Sequence, residues 1–414
     1  MSDKIALEKR YGATNYAPLP VVLSRGEGVW LWDDEGRRYL DMLSAYSAVS
    51  FGYGHPRLLA ALNEQAARLA VTSRAYYTDR LPPFLARLCE LTGMDRALPM
   101  STGAEGVETA IKVARKWAYV VKKVPAGRAQ IIVCAGNFHG RTSTIVGFSS
   151  EPQYRDHFGP YATEAFRHVP FGDVAALEAA ITPETAAFLV EPVQGEAGIV
   201  VPPEGYLAQC ARVCRERNVL LIADEVQTGL GRTGRLFACQ HENVKPDAII
   251  LGKALGGGLL PVSAFCAREE VMGVLRPGDH GSTFGGNALG AAVGLAALTV
   301  LVDERLPERA ATMGAYLLKR LRSISSPVVT DVRGKGLLVG FGLARDAAAG
   351  LPWDPAVGFG RGVARRAMEK GLIIRADPDW IALAPPLTIT IEEADQLFDR
   401  LADCLREETA ARRD

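Results

Sequence analysis

Lys253 closes the apolar run Ala248-Ile-Ile-Leu-Gly-Lys253 and stands shortly before three consecutive glycines, Gly256 to Gly258. A short strand ending in Gly-Lys, beside residues without side-chain bulk, holds an amine in a confined place where a flat ligand can approach. Burial disfavours an ammonium ion, so a lysine there is poised as a nucleophile near neutral pH. Most lysines are solvated surface residues, and only the companions of Lys253 can separate the two readings. Asp224 ends a second apolar run, Val219-Leu-Leu-Ile-Ala-Asp224. A buried carboxylate needs a cationic or hydrogen-bonded partner, and the sequence offers no obvious one within the chain. A protonated ring nitrogen on a cofactor would serve, whereas the commonplace role is to cap the following turn.

Three small-residue segments add binding chemistry. Ser101-Thr-Gly-Ala104 precedes a helical pattern through Lys112 and Arg115, either an anion site at a helix N-terminus or a simple N-cap. Gly281-Ser-Thr-Phe-Gly-Gly-Asn287 is a second turn with hydroxyls, and Gly136-Asn-Phe-His-Gly-Arg141 sets aromatic rings and a guanidinium just after a strand. Gly229-Leu-Gly-Arg-Thr-Gly234 fits the dinucleotide pattern G-x-G-x-x-G. Gln227 and Thr228 separate it from its strand, and no clear helix opens from it. Lys253 does not make a P-loop, because Ala254 stands where Ser or Thr is required.

The elements that must position these residues alternate. Apolar strands are predicted at 130–135, 186–191, 219–224 and 248–251, with helices over 56–69, 106–121 and 205–217. Runs that are apolar throughout fit strands buried on both faces of a parallel or mixed sheet, and Glu191, Asp224 and Lys253 collect at their carboxyl ends, where α/β sheets bind ligands. Beyond residue 300 the pattern becomes a smaller α+β unit: helices over 305–324, 359–371 and from 391, and strand-like runs over 328–342, 372–375 and 380–384. The expected organisation is an N-terminal segment, 1–48, packing with a small domain, 301–414, and a large domain, 49–300. The N-terminal segment itself carries two short strands around an Asp-Glu-Gly turn.

The 414 residues carry 47 basic and 47 acidic side chains, so no charge imbalance points to nucleic acid or a membrane surface. No secretory leader is expected in the first thirty residues and no apolar run approaches the roughly 18 residues of a membrane span, which makes the cytoplasm the default address. Seven scattered cysteines without a Cys-x-x-Cys pair read as reduced thiols, and six histidines without ligand spacing predict no metal site.

Taken together, the chain resembles the class III aminotransferases of the fold-type I pyridoxal phosphate enzymes, and within them most closely the ornithine aminotransferases. The likeness covers nearly the whole chain. It runs through Tyr11-Gly-Ala-Thr-Asn-Tyr-Ala-Pro-Leu-Pro20, Leu43-Ser-Ala-Tyr-Ser-Ala-Val49, Ser101-Thr-Gly-Ala-Glu105, Glu191-Pro-Val-Gln-Gly-Glu-Ala-Gly198, Ile222-Ala-Asp-Glu-Val-Gln-Thr-Gly229, Leu251-Gly-Lys-Ala-Leu255, His280-Gly-Ser-Thr-Phe-Gly-Gly-Asn287 and Val332-Arg-Gly-Lys-Gly336.

The resemblance implies an α/β fold with a mostly parallel central sheet, pyridoxal 5′-phosphate as cofactor, and catalysis by Lys253 and Asp224. Lys253 would bond to the cofactor and, once released, move the substrate proton; Asp224 would keep the pyridine nitrogen protonated. Phe138 and Val226 would flank the ring, Thr102, Gly103 and Ala104 would hold the phosphate, and Gln227 would meet the 3′ oxygen. His139, Glu191 and Ser282 complete the cofactor set. Thr283 would reach the phosphate of a neighbouring subunit, so a homodimer is expected.

For substrate, Tyr16 and Arg141, with Tyr46, resemble the residues that bind the α-amino and α-carboxylate groups of ornithine and direct its δ-amine at the cofactor. Glu196 resembles the glutamate that neutralises a second arginine until glutamate or 2-oxoglutarate arrives. That arginine is absent, because Ala382 occupies its place two residues before Ala384-Pro-Pro386. Losing a buried anchor for a carboxylate costs about 2–5 kcal/mol, roughly 30- to several-thousand-fold in affinity. Arg375 either substitutes for it or is a solvated strand-end residue. The expected reaction is transfer of a terminal amino group from ornithine or a similar ω-amino acid to a keto acid, giving a semialdehyde. A racemase, epimerase or cyclase acting on a basic amino acid is the alternative.

Overall fold

The computed structural model describes residues 3–344 and 358–412. Residues 345–357 and 413–414 of the C-terminal division expected from sequence lie outside the described residues. Seven strands form the central sheet in the spatial order Arg96–Met100, Ser263–Ala267, Ala248–Leu251, Leu220–Asp224, Thr185–Val190, Gln130–Cys134, Phe166–Val169. Ser263–Ala267 runs antiparallel to both its neighbours, while the remaining pairings are parallel. The uniformly apolar runs sit in its interior because helices cover both faces, and every residue of Thr185–Val190, Leu220–Asp224 and Ala248–Leu251 is buried.

Those three strands are immediate neighbours, so Glu191, Asp224 and Lys253 emerge side by side at one edge, about 4.8 Å apart from strand to strand. The helix Gly103–Val120 lies across the sheet with Val107, Ala110, Ile111, Ala114 and Trp117 buried. Each large apolar side chain so buried contributes roughly 1.5–3 kcal/mol. Gly106 permits the approach, since a Cβ there would come within 2.9 Å of Ile250 Cγ2.

The C-terminal residues build a second, four-stranded sheet in the order Val329–Lys335, Leu338–Leu343, Trp380–Leu383, Arg375–Asp377. The run read as one strand over 372–375 is divided. Leu372 and Ile373 pair in parallel with Leu40 and Asp41, whereas Arg375–Asp377 pairs antiparallel with Trp380–Leu383. The chain changes sheets at Ile374, and the strand that begins at Arg375 thereby folds back over the site. N-terminal strands Leu23–Glu27, Trp30–Asp33 and Arg38–Asp41 share a sheet with Leu372–Ile373. Asp33 fixes the turn between the last two by accepting from the Glu35 and Arg37 amides.

The G-x-G-x-x-G match proves to be a structural bolt. Arg232 is wholly buried, donating to Leu337 O at 3.0 Å, Pro385 O at 2.5 Å and Ser50 Oγ at 2.9 Å. Burial lowers its pKa to about 9, against the pull of Asp41. One guanidinium thus ties the loop after the Asp224 strand to the C-terminal sheet. Arg232→Met, which leaves two buried carbonyls without their donor, should lower folding stability by roughly 3–5 kcal/mol. A urea midpoint equal to that of the parent protein would show that this arginine does not hold the loop.

Candidate active site

A cavity of about 190 Å³ opens at the carboxyl edge of the sheet, lined by Gly103, Ala104, Phe138, His139, Gly140, Glu191, Val193, Asp224, Val226, Gln227, Thr228 and Lys253. Nine of the residues singled out from sequence therefore meet in one place. Lys253 follows its strand in a left-handed conformation, φ 45°, which is uncommon for a residue with a Cβ and persists where the surroundings enforce it. Burial holds its ammonium below the usual lysine range, although the carboxylates of Glu196, Asp224 and Glu191 pull the other way.

Asp224 has an internal partner after all. His139 Nδ1 lies 2.7 Å from Asp224 Oδ2, and the Val226 amide donates to Oδ1 at 3.0 Å. Burial alone would depress the His139 pKa, but the hydrogen bond and charge of Asp224 outweigh it and raise the imidazole above its usual range. The result is a buried carboxylate with a hydrogen-bond partner on each oxygen at one end of the cavity. His139 Nε2 is buried with no hydrogen-bond partner among the described residues. Glu191 behaves differently. Burial is the dominant influence and lifts it from an ordinary 4.5 to about 7, with the nearby charge of Asp224 adding to the rise and the Phe138 amide donating to it at 3.0 Å.

At the other end lies the N-terminus of the helix Gly103–Val120. Thr102 was expected to hold a phosphate, but it is engaged in a reciprocal cap. Its amide donates to Glu105 Oε2 at 2.6 Å, and its hydroxyl accepts from the Glu105 amide at 3.2 Å. Gly103 and Ala104, the first two helical residues, have amides with no intrahelical acceptor and line the cavity. Gly103 is required there, because a Cβ would meet Val226 Cγ1 at 2.9 Å. The anion site expected from sequence thus narrows to two amides. Ser282 and Thr283 do not line this cavity; Ser282 Oγ accepts from the Gly285 amide, and Thr283 is exposed.

The substrate residues divide. Arg375 Nη1 bonds Glu196 Oε2 at 2.5 Å, with the guanidinium 5.2 Å from the Tyr46 ring centre and 5.1 Å from that of Trp380. Arg375 is therefore no solvated strand end. Its Cα is paired directly with Ala382 across the two strands, so both side chains leave the same face of the sheet. Ala382 itself packs with Val193, Ile199 and Leu338. Tyr46 sits in a turn whose four residues, Ser44 to Ser47, are all left-handed, pinned by the Ser44 hydroxyl on Ala384 O. Arg141 lies over the Tyr154 ring at 3.5 Å and beside Phe138 at 5.5 Å. Tyr16 is 81% exposed and outside the cavity.

These features fit pyridoxal phosphate: paired free amides for a phosphate, the Asp224 carboxylate for a pyridinium, Phe138 and Val226 as walls, and the Lys253 amine, its pKa lowered by burial, within the same cavity. Sequence reasoning missed Trp380, whose indole packs on Arg375, and the use of Thr102 by Glu105. The second was readable as the Thr-x-x-Glu spacing of a capping box.

Comparison with known proteins agrees. The family model for Aminotransferase class-III matches residues 11–405. An ornithine aminotransferase of Brevibacillus brevis is 51% identical over 398 residues, 96% of either chain. The crystal structure of the ornithine aminotransferase from Toxoplasma gondii superposes with a TM-score of 0.94 at 43% identity, covering 99% of this chain and 96% of that one. An (S)-enantioselective omega-transaminase from Thermomicrobium roseum superposes with a TM-score of 0.92 at 36% identity and 98% coverage of each.

A carboxylate whose pKa is raised on folding favours the folded state below its ordinary value and loses that contribution as pH rises through its folded value. Glu191→Gln, which cannot ionise, should therefore gain stability over the parent apoenzyme as pH rises from 4.5 towards about 7. Chemical denaturation across that window checks it, and parallel pH profiles would refute the raised pKa.

Proposed function

The chain belongs to the class III aminotransferases, pyridoxal phosphate enzymes, and on that premise we propose that it moves the δ-amino group of ornithine to a keto acid, leaving a semialdehyde. The observation that carries the substrate assignment is the Arg375–Glu196 pair beside Tyr46, close enough that both charges act on Lys253. The racemase, epimerase or cyclase alternative is not favoured, since the full-length relatives are named as transaminases.

Bound pyridoxal phosphate supplies the carrier for the amino group and the electron sink that lets a proton leave the amine-bearing carbon. The protein's own contribution is position and proton handling. Lys253 Nζ, its pKa lowered by burial, would take that proton and return it to the neighbouring centre. Asp224, braced by His139, would hold the protonated ring nitrogen. Gly103, Ala104, Gln227, Phe138 and Val226 all line the cavity, where the first two would hold the phosphate, Gln227 the ring oxygen, and Phe138 and Val226 the ring.

Ornithine and the acceptor differ at the end far from the reacting amine, so one pocket must offer two polarities. With Glu196 closed on Arg375 the charge is neutral and the chain of ornithine passes, its α-carboxylate and α-amine going to Arg141, Tyr46 and Tyr16. An acceptor carboxylate displaces Glu196 and takes the guanidinium. Arg375 does this from the strand next to Ala382, and a long side chain covers the distance of about 5 Å between paired strands.

A second copy of the chain completes the site. The helix Asp3–Tyr11 buries no residue, Tyr76 and Tyr77 are 72% and 102% exposed, and Phe284 beside Thr283 is 59% exposed. A homodimer covers these groups and brings Thr283 to the partner's phosphate. No described helix is long and apolar enough to cross a membrane, and a cytoplasmic address is consistent with that.

Ornithine added without acceptor should convert the bound cofactor's absorption to that of its amine form, and persistence of the starting spectrum would sink the reading. Arg375→Ala should raise the keto-acid KM by about 30-fold or more while moving the ornithine KM far less. Equal effects on both would show that Arg375 is not the acceptor's anchor.

A further inference from the structure

His280 lies outside the cavity and has no part in the chemistry above, yet both ring nitrogens are committed. Nε2 stands 2.8 Å from Thr109 Oγ1 and Nδ1 2.9 Å from Lys112 Nζ. An ammonium can only donate, so Nδ1 is the acceptor and Nε2 carries the proton. Thr109 can receive that proton because its own hydroxyl hydrogen goes to Glu105 O at 2.7 Å. The tautomer is therefore fixed by the network. One turn further on, Lys116 holds the Asp279 carboxylate, which also accepts from the Arg276 amide at 2.5 Å.

Residues 105, 109, 112 and 116 form a single face of the helix Gly103–Val120. At its N-terminus this helix offers Gly103 and Ala104 to its own subunit's cofactor, and Glu105 caps that terminus. Its outer face grips the turn that leads through His280 to Ser282 and Thr283. We propose that His280 is a positioning residue that locks this turn to the phosphate-cradle helix, so that one helix serves its own cofactor phosphate directly and the partner's through Thr283. The proposal rests on the reading that Thr283 acts across a homodimer.

The lock requires a neutral imidazole. Partial burial lowers the His280 pKa, the Lys112 ammonium lowers it further, and Glu105 opposes them. The remaining charge beside it, Asp279, is already paired with Lys116. A group whose folded pKa is depressed contributes above its unfolded value and loses that contribution as pH falls through the folded one. Protonation would set an N–H against the Lys112 ammonium, so the turn should loosen in acid.

The test uses the dimeric holoenzyme and reads cofactor dissociation by absorbance, with sedimentation to confirm the dimer. Thr283→Ala and His280→Ala should each speed cofactor loss about tenfold near neutral pH, the consequence of one lost hydrogen bond to a charged group. The double variant should lose cofactor no faster than Thr283→Ala alone, and His280→Ala should lack the acid-dependent component of cofactor loss. A His280→Ala effect that is absent, or that multiplies with the Thr283→Ala effect, overturns the proposal. An unchanged rate in Thr283→Ala sinks the trans-phosphate reading itself, and the lock's function with it.

Discussion

An amine, two carboxylates and an imidazole line one cavity at the edge of the sheet, and burial sets their charges against one another. At separations near 4 Å a pair of unit charges interacts by about 4 kcal/mol in a protein of effective dielectric 20, so each site must settle its neighbours' protonation. Asp224 is held by His139 Nδ1 and the Val226 amide. Glu191, with one amide as its hydrogen-bond donor, is lifted to about 7, and Lys253 is pushed towards the free amine. On the proposed reading this arrangement suits a transaminase, with a carboxylate for the ring nitrogen and a lysine whose lowered pKa suits it to carry a proton.

The second constraint, on the proposed reading, is that a zwitterionic far end and an acceptor carboxylate use the same entrance. Glu196 and Arg375 form a neutral pair there, and that reading has the acceptor's carboxylate open it. The arginine comes from Arg375–Asp377, and the place across the ladder is filled by Ala382 within an apolar cluster. Cross-strand partners present their side chains to the same face, and on the proposed reading that register lets Arg375 stand in for the missing arginine. Arg232 makes the arrangement rigid by bonding the Leu337 and Pro385 carbonyls, which flank the strands of that sheet. Geometry at the entrance thus depends on a charge buried well away from it.

The large sheet was legible because its strands are buried on both faces and are apolar without interruption, and their carboxyl ends are marked by the polar residues that follow. The family resemblance supplied the cofactor and the names of most residues around it. Partnerships across long sequence distances were not legible. The contact between His139 and Asp224 spans 85 positions and depends on how a loop returns over the sheet. The division of 372–375 between two sheets was equally hidden, since Leu372-Ile-Ile-Arg375 has the composition of one strand and only its two partners distinguish the halves. Ala382 looked like a missing function in the sequence; in the structure it is half of a cross-strand pair whose other half carries the charge.

Ornithine labelled with ¹⁵N at its δ position, incubated with the holoenzyme and a keto acid, tests the central claim most directly. Offering 2-oxoglutarate and pyruvate separately and following the label by mass spectrometry should show it in the α-amino group of the acceptor's product, with one semialdehyde formed per label transferred. Label retained in ornithine while its α-carbon loses stereochemical purity would contradict the account.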